Sequence, residues 1–188
     1  MQQRRTLRED LLDAAATLII ERGYRRVRMQ DVADAVGVSR QTVYNEFGGK
    51  WRLAQSLTLR ENERYLDAMD DALTRHADLY SAVAAAVAYT LDTAADDPLK
   101  KATLTGAGSE DLLPLMTTRA EPVLFAAKER IVAHVLRQWP HLDQTEVTEL
   151  ADAVVRLTMS HVLLPTDPPE VVAARLARLV ARYLGDPS

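Results

Sequence analysis

The chain has 188 residues, 47% of them hydrophobic, a formal net charge of −4 and no cysteine. That length accommodates one large or two small domains around a packed core, and the missing cysteine excludes disulfides, thiolate metal sites, cysteine nucleophiles and thiol redox sensing. No stretch approaches the roughly 18 apolar residues of a membrane span, and the first residues lack the apolar run of a signal peptide, so a cytoplasmic protein with no membrane partner is expected.

Charge is unevenly placed. Residues 1–60 carry eleven Arg and Lys against seven Asp and Glu, a balance of +4, which leaves −8 for the rest of the chain. A basic module on an acidic body suits the binding of a polyanion at one defined place. Arg4, Arg5 and Arg8 precede or open the first helix and either follow a phosphate backbone or are simply solvated. Thr6-Leu-Arg-Glu9 is a capping box that starts this helix, which runs to Arg22 with Leu7, Leu11, Ala14, Ala15, Leu18 and Ile19 inward and Gly23 as its stop.

Residues 31–50 read as a helix-turn-helix. Val32, Ala33 and Val36 recur at helical spacing, Gly37 supplies the open backbone angle of a tight turn, and Ser39 stands where a second helix needs an N-cap. Val43 and Phe47 face inward on that second helix, and Gly48-Gly49 ends it. Arg40, Gln41, Thr42, Tyr44 and Asn45 are left facing outward, a set rich in donors for base edges and phosphates.

On Val32-Ala33, Gly37-Val38-Ser39, Thr42-Val43-Tyr44, Phe47, Lys50 and Leu53, roughly the first sixty residues resemble the DNA-binding domain of TetR-type repressors. Three positions depart from that pattern: Arg28 where a Ser or Thr usually caps the first helix of the pair, Glu46 where His or Tyr is common, and Trp51 where an acidic residue is common. Arg28 offers no cap acceptor, so Asp31 serves the helix N-terminus electrostatically. Glu46 is read as a partner for Lys50 or a nearby Arg. The candidate DNA contacts are Arg28, Ser39, Arg40, Gln41, Thr42, Tyr44, Asn45 and Lys50, the last by a phosphate contact that the resemblance implies at the start of the next helix.

That helix opens at Lys50, buries Leu53, Ala54, Leu57, Leu66, Met69 and Leu73, and ends between Ala72 and Asp78. No proline precedes Pro98, and all eight lie from there on. Leu79 to Ala95 reads as an alanine-rich helix apolar on most sides, hence central to a bundle. Asp97-Pro98 begins a short helix, residues 105–109 form a loop, and Pro114 and Pro122 predict a short piece followed by a longer one through Gln138. Asp143-x-x-Glu146 caps a helix to about Leu163, and Asp167-Pro-Pro-Glu170 starts the last one with an N-cap and prolines in its first turn. Val172, Leu176, Leu179 and Tyr183 form a narrow stripe along it and are the candidate dimer contacts. The resemblance implies that the last two helices pair with their copies in a four-helix bundle.

No catalytic constellation is visible. There is no Gly-x-Ser-x-Gly elbow, phosphate-binding loop or His-Glu-x-x-His, the four histidines are scattered, and neither metal nor cofactor is expected. The acidic pairs Asp70-Asp71, Asp96-Asp97 and Glu110-Asp111 sit at helix ends in solvated or capping roles. The resemblance implies a small-molecule pocket in the second domain. Candidate wall residues are Val83, Val87, Met116, Phe125, Met159 and Trp139, each with plain core as the alternative. His134, Arg156, Thr158 and His161 are the polar options, and Arg156 is alternatively an ion pair or an interface residue.

The sequence therefore predicts an all-α protein of about nine helices. A three-helix helix-turn-helix domain at residues 1–50 binds DNA, and a bundle at residues 51–188 binds ligand and dimerises. The expected function is a ligand-responsive regulator, a homodimeric repressor released from a palindromic operator on double-stranded DNA by a small, mainly hydrophobic effector. The alternative is a small helical enzyme or hydrophobic-ligand carrier using the second domain.

Overall fold

The computed structural model describes residues 6–105 and 109–185. Arg4 and Arg5, the middle of the 105–109 loop and the last three residues lie outside that range. Among the described residues the secondary structure is helical throughout, with no strand, and no helix is long and apolar enough to cross a membrane. The backbone forms two compact units: residues 1–62 with 97–120, and residues 63–96 with 121–188. The division expected at residue 50 followed the chain; packing instead keeps the first turns of the long helix, and a later segment, with the first unit.

In the first unit, α1 (Leu7–Arg22) starts at Thr6, whose hydroxyl accepts from the Glu9 amide while the Glu9 carboxylate accepts from the Thr6 amide. A 3-10 turn at Tyr24–Arg26 leads to α2 (Met29–Val36), α3 (Arg40–Phe47) and α4 (Lys50–Thr74). The returning segment contributes α6 (Pro98–Thr105), α7 (Ser109–Leu112) and a 3-10 turn at Leu113–Met116. One core unites them: Leu11, Leu12, Ala15, Val32, Ala33, Val43, Phe47, Leu53 and Leu57 pack with Leu112 and Leu115. Leu7 departs from its predicted inward place and is 42% exposed, whereas Leu12 is 3% exposed. The cause is that α1 contacts both α2 and α6, which widens its buried face beyond one stripe, while its first turn projects past the core.

The second unit holds the rest of α4, α5 (Leu79–Asp96), α8 (Glu121–Gln138), α9 (Gln144–Leu163) and α10 (Pro169–Tyr183). Leu66, Met69 and Leu73 of α4 meet Ala82 and Ala86 of α5, as the predicted stripe requires. Farther along α5, Val87 and Leu91 pack against Val172, Ala173 and Leu176 of α10, which makes α5 the central helix. Asp143 caps α9 by accepting from the amides of Thr145 and Glu146.

Two expectations for α10 need correction. Pro168, not Asp167, occupies the N-cap position, and the Asp167 carboxylate instead pairs with Arg175 at 3.1 Å. The stripe of four also divides: Val172 and Leu176 are 1% and 3% exposed, Leu179 and Tyr183 51% and 54%. On a helical wheel all four lie near the border between the buried and open faces. Val87 and Leu91 of α5 pack over Val172 and Leu176, whereas Leu179 and Tyr183 stay open although α5 still meets α10 at Val180. Within the single chain Val172 and Leu176 are therefore core, and Leu179 and Tyr183 stand open.

Candidate nucleic-acid interface

The site is built on the turn between α2 and α3. Gly37 takes φ 77° and ψ 32°, the left-handed conformation that costs a side-chain-bearing residue about 1 kcal/mol or more, and its amide closes α2 on the Ala33 carbonyl at 2.9 Å. Two residues on, the Ser39 hydroxyl accepts from the Thr42 amide at 3.1 Å and shares a hydrogen bond with the Thr42 hydroxyl at 2.9 Å. That cap fixes where α3 begins. Val43 and Phe47 are buried beneath it, so the helix turns Arg40, Gln41, Asn45 and Glu46 to the exterior, with Thr42 and Tyr44 half-buried.

The outward side chains are ordered by their neighbours one turn away. The Arg40 guanidinium lies over the Tyr44 ring, 5.1 Å from its centroid, and donates to its hydroxyl at 3.3 Å. The Gln41 amide donates to the Asn45 carbonyl oxygen at 2.8 Å. Glu46, the acidic residue on this face, is taken up by Arg8, whose guanidinium pairs with it at 2.6 Å, stacks over Phe47 and donates to Ser56. Arg8 thus neutralises the carboxylate that would otherwise oppose phosphate.

At the edge of this face Lys50 sits over the Tyr24 ring at 4.1 Å and donates one proton to the Arg25 carbonyl at 3.2 Å. Burial holds its ammonium below the usual lysine value, against the opposing pull of Asp111 and Asp31. Two of its three N–H donors remain for a phosphate. Arg28 is exposed just before α2, and its amide donates to Asp31 at 2.6 Å, so Asp31 serves the helix start by a direct hydrogen bond. Trp51 lies half-buried beneath the Arg119 guanidinium. The pairing of Arg40 with Tyr44 and the exposed Arg52, whose Nη1 stands 3.3 Å from where a Cβ on Gly48 would be, went unnoticed in the sequence. Spacing of four residues was the available signal for the first.

Of the residues predicted to line a ligand pocket, Val83 packs against the cluster that holds Val87, and Val83 and Trp139 flank a second apolar cluster; the others are placed elsewhere. A cavity of about 40 Å³ lies in the second unit among apolar side chains, including Leu79, Ile131, Val147, Val154 and Val180, and Val83 is the predicted wall residue that borders it. Val87 is sealed in the core, and Met159 is half-buried on α9. Met116 belongs to the first unit. Phe125 is 59% exposed, with Lys128 over its ring, so it is not an interior wall. Arg156 is likewise at the surface, paired one turn away with Asp152 at 2.7 Å; of the readings weighed for it, the ion pair is the one present, formed in the open and not in the interior. His134 is buried, its Nδ1 3.3 Å from the Arg137 guanidinium and 3.9 Å from Asp70. Asp70 in turn joins Glu63 and Asp67 in binding Arg130.

Residues 11–57 match the family described as bacterial regulatory proteins, tetR family, and residues 78–182 match the one described as bacterial tetracyclin repressor, C-terminal domain. The HTH-type transcriptional regulator AlkX of Mycobacterium tuberculosis is 35% identical over 181 residues, 96% of this chain and 86% of that protein. The HTH-type transcriptional repressor KstR2 of Rhodococcus jostii is 46% identical over 43 residues, 23% of this chain and 21% of that one. Among solved structures, the TetR family repressor AlkX from Dietzia sp., implicated in biodegradation of n-alkanes, superposes with a TM-score of 0.81 at 30% identity, covering 97% of each chain. A capped helix-turn-helix with a polar outward face, carried on a helical chain that is similar over nearly its whole length to AlkX, is a DNA-binding regulator's architecture: the chain belongs to the TetR family of transcriptional regulators and is of the repressor type.

Proposed function

We propose that the chain is a homodimeric repressor that binds a palindromic operator and is released from it by a small, mainly hydrophobic effector. The observation that carries the operator half is the face of α3, where Arg40, Gln41 and Asn45 stand exposed on a helix held by the Ser39 cap. Arg28, Ser39, Thr42, Tyr44 and Lys50 complete the contact set. Two such helices related by a two-fold axis fit half-sites about 34 Å apart, one turn of duplex. The pairing surface we propose draws on the exposed apolar residues near the end of the chain, Leu179 and Tyr183 on α10 above all, with Leu157, Leu164 and Val171 also open in the single chain; burying such residues twice over in a symmetric contact removes apolar surface from water.

For the effector, the supporting observation is the wholly apolar lining of the cavity beside Val83. The likeness to the Dietzia repressor implicated in n-alkane biodegradation favours an aliphatic chain. At about 40 Å³ the cavity is too small to enclose a long chain as it stands, so an effector that widens it binds the widened state more tightly than this one, and that difference in affinity shifts the equilibrium. The test is selection of genomic fragments by the purified chain, followed by titration of the recovered duplex complex with n-dodecane, palmitate and glucose. A palindrome released by the aliphatic probes and untouched by glucose is expected. Recovery of no specific fragment overturns the operator reading, and release by glucose but neither chain overturns the effector class.

A further inference from the structure

Arg40 is the one cation on α3, and it opens the helix, where side chains of a recognition helix enter the major groove. Its surroundings are more definite than those of an ordinary surface arginine. The Tyr44 ring beneath it is half-buried and packs against the first unit's core, so the platform that carries the guanidinium is itself fixed. The bond to the Tyr44 hydroxyl uses one of the five N–H donors and leaves the rest for a ligand. The competing groups nearby are occupied: Gln41 and Asn45 bond to each other, and Glu46 is held by Arg8.

A planar group that only donates matches a base edge that only accepts. In the major groove guanine offers O6 and N7, both acceptors, whereas adenine offers one acceptor beside a donor. From this geometry we propose that Arg40 reads a guanine in each operator half-site and that Tyr44 is its positioning residue. The assignment rests on the operator reading above and names the base it recognises. It also gives Tyr44, one of the candidate DNA contacts, an indirect part: the ring and hydroxyl hold the guanidinium in one orientation, so less side-chain freedom is lost when the base is bound.

The experiment is selection from randomised duplexes by the full-length protein, comparing wild type with Arg40→Ala, Arg40→Lys, Tyr44→Phe and Tyr44→Leu, with circular dichroism to show that each is folded. Wild type should enrich a motif with guanine at one symmetric pair of positions. Arg40→Ala should lose that preference by roughly tenfold or more per half-site and leave other positions alone. Arg40→Lys, a point charge without the fork, should recover only part of it. Tyr44→Leu should weaken the preference at the same pair, and Tyr44→Phe, which keeps the ring, should retain most of it. Replacing that guanine by 7-deazaguanine should cost wild type affinity and leave Arg40→Ala unaffected. An Arg40→Ala motif with the guanine intact, or a wild-type motif without one, overturns the assignment while leaving operator binding standing. A uniform loss of affinity in Tyr44→Leu with full guanine preference assigns Tyr44 to the phosphate backbone and overturns its positioning part. Failure of wild type to enrich any sequence overturns the operator reading and this one with it.

Discussion

His134 is a residue whose role is set by its surroundings alone. It lies 97% buried on α8, with Nε2 lacking any partner and Nδ1 facing Arg137 and Asp70. Burial lowers its pKa below the ordinary 6.5, Asp70 opposes the shift and Arg137 adds to it. The folded protein therefore holds this proton less tightly than the unfolded chain does. The contribution to stability is intact above pH 6.5 and is lost as pH falls from there through the lower folded value, because the unfolded state gains the proton first. Urea unfolding between pH 7.5 and 5.5 should show declining stability in wild type and a flatter profile in His134→Gln; equal slopes would place the titrating group elsewhere. Lys50 yields a second prediction at this scale. Replacing it with Met keeps the stem against Tyr24 and removes the charge. If both Lys50 side chains of a dimer meet phosphate, the slope of log operator affinity against log salt should fall by about 2; an unchanged slope removes Lys50 from the interface.

Among the elements, α3 has eight residues, too few to hold together without tertiary support, and its start depends on one hydroxyl. Ser39→Ala removes the hydroxyl that shares the Thr42 amide with the Ser39 carbonyl and should cost about 1 kcal/mol, a drop of several degrees in the melting temperature of the first unit. Ser39→Asp supplies another acceptor and should restore the melting point while placing a negative charge beside DNA, so stability recovers and operator affinity does not. Recovery of both would show that residue 39 lies away from the phosphates. At the far end of the chain, α9 begins on the same device, with Asp143 accepting from two amides. Both starts were legible because a cap is a contact between residues two or three apart.

For the whole molecule, the decisive question is which side of α10 meets a partner. Leu179 is half-exposed and Leu176 is sealed. Leu179→Glu places a carboxylate in water in the single chain and in an apolar seam in the proposed dimer, a desolvation loss of several kcal/mol that dissociation relieves. It should sediment as a helical monomer with weakened operator binding. Leu176→Ala should instead lower the unfolding free energy by roughly 2–5 kcal/mol, with the oligomeric state preserved below the transition. A dimeric Leu179→Glu with normal operator binding would place the pairing surface elsewhere.

What the sequence determined by itself were the features written within a turn of helix: the Thr6–Glu9 box, the Gly37 turn, the Ser39 cap, and the α4 stripe from Leu53 to Leu73, buried residue for residue. The resemblance to TetR-type repressors rested on the same local pattern. Tertiary structure decided the rest. Arg130 gathers Glu63, Asp67 and Asp70 from 60 to 67 residues away, a pairing that no local pattern encodes. Phe125 is expected inside because its neighbours in sequence are apolar, but a helix presents residues by angle, and this one faces outward. Val172 and Leu179 lie close together on one wheel, yet α5 covers the first and leaves the second bare. Burial is a property of what lies opposite a side chain, and that is fixed only when distant segments pack.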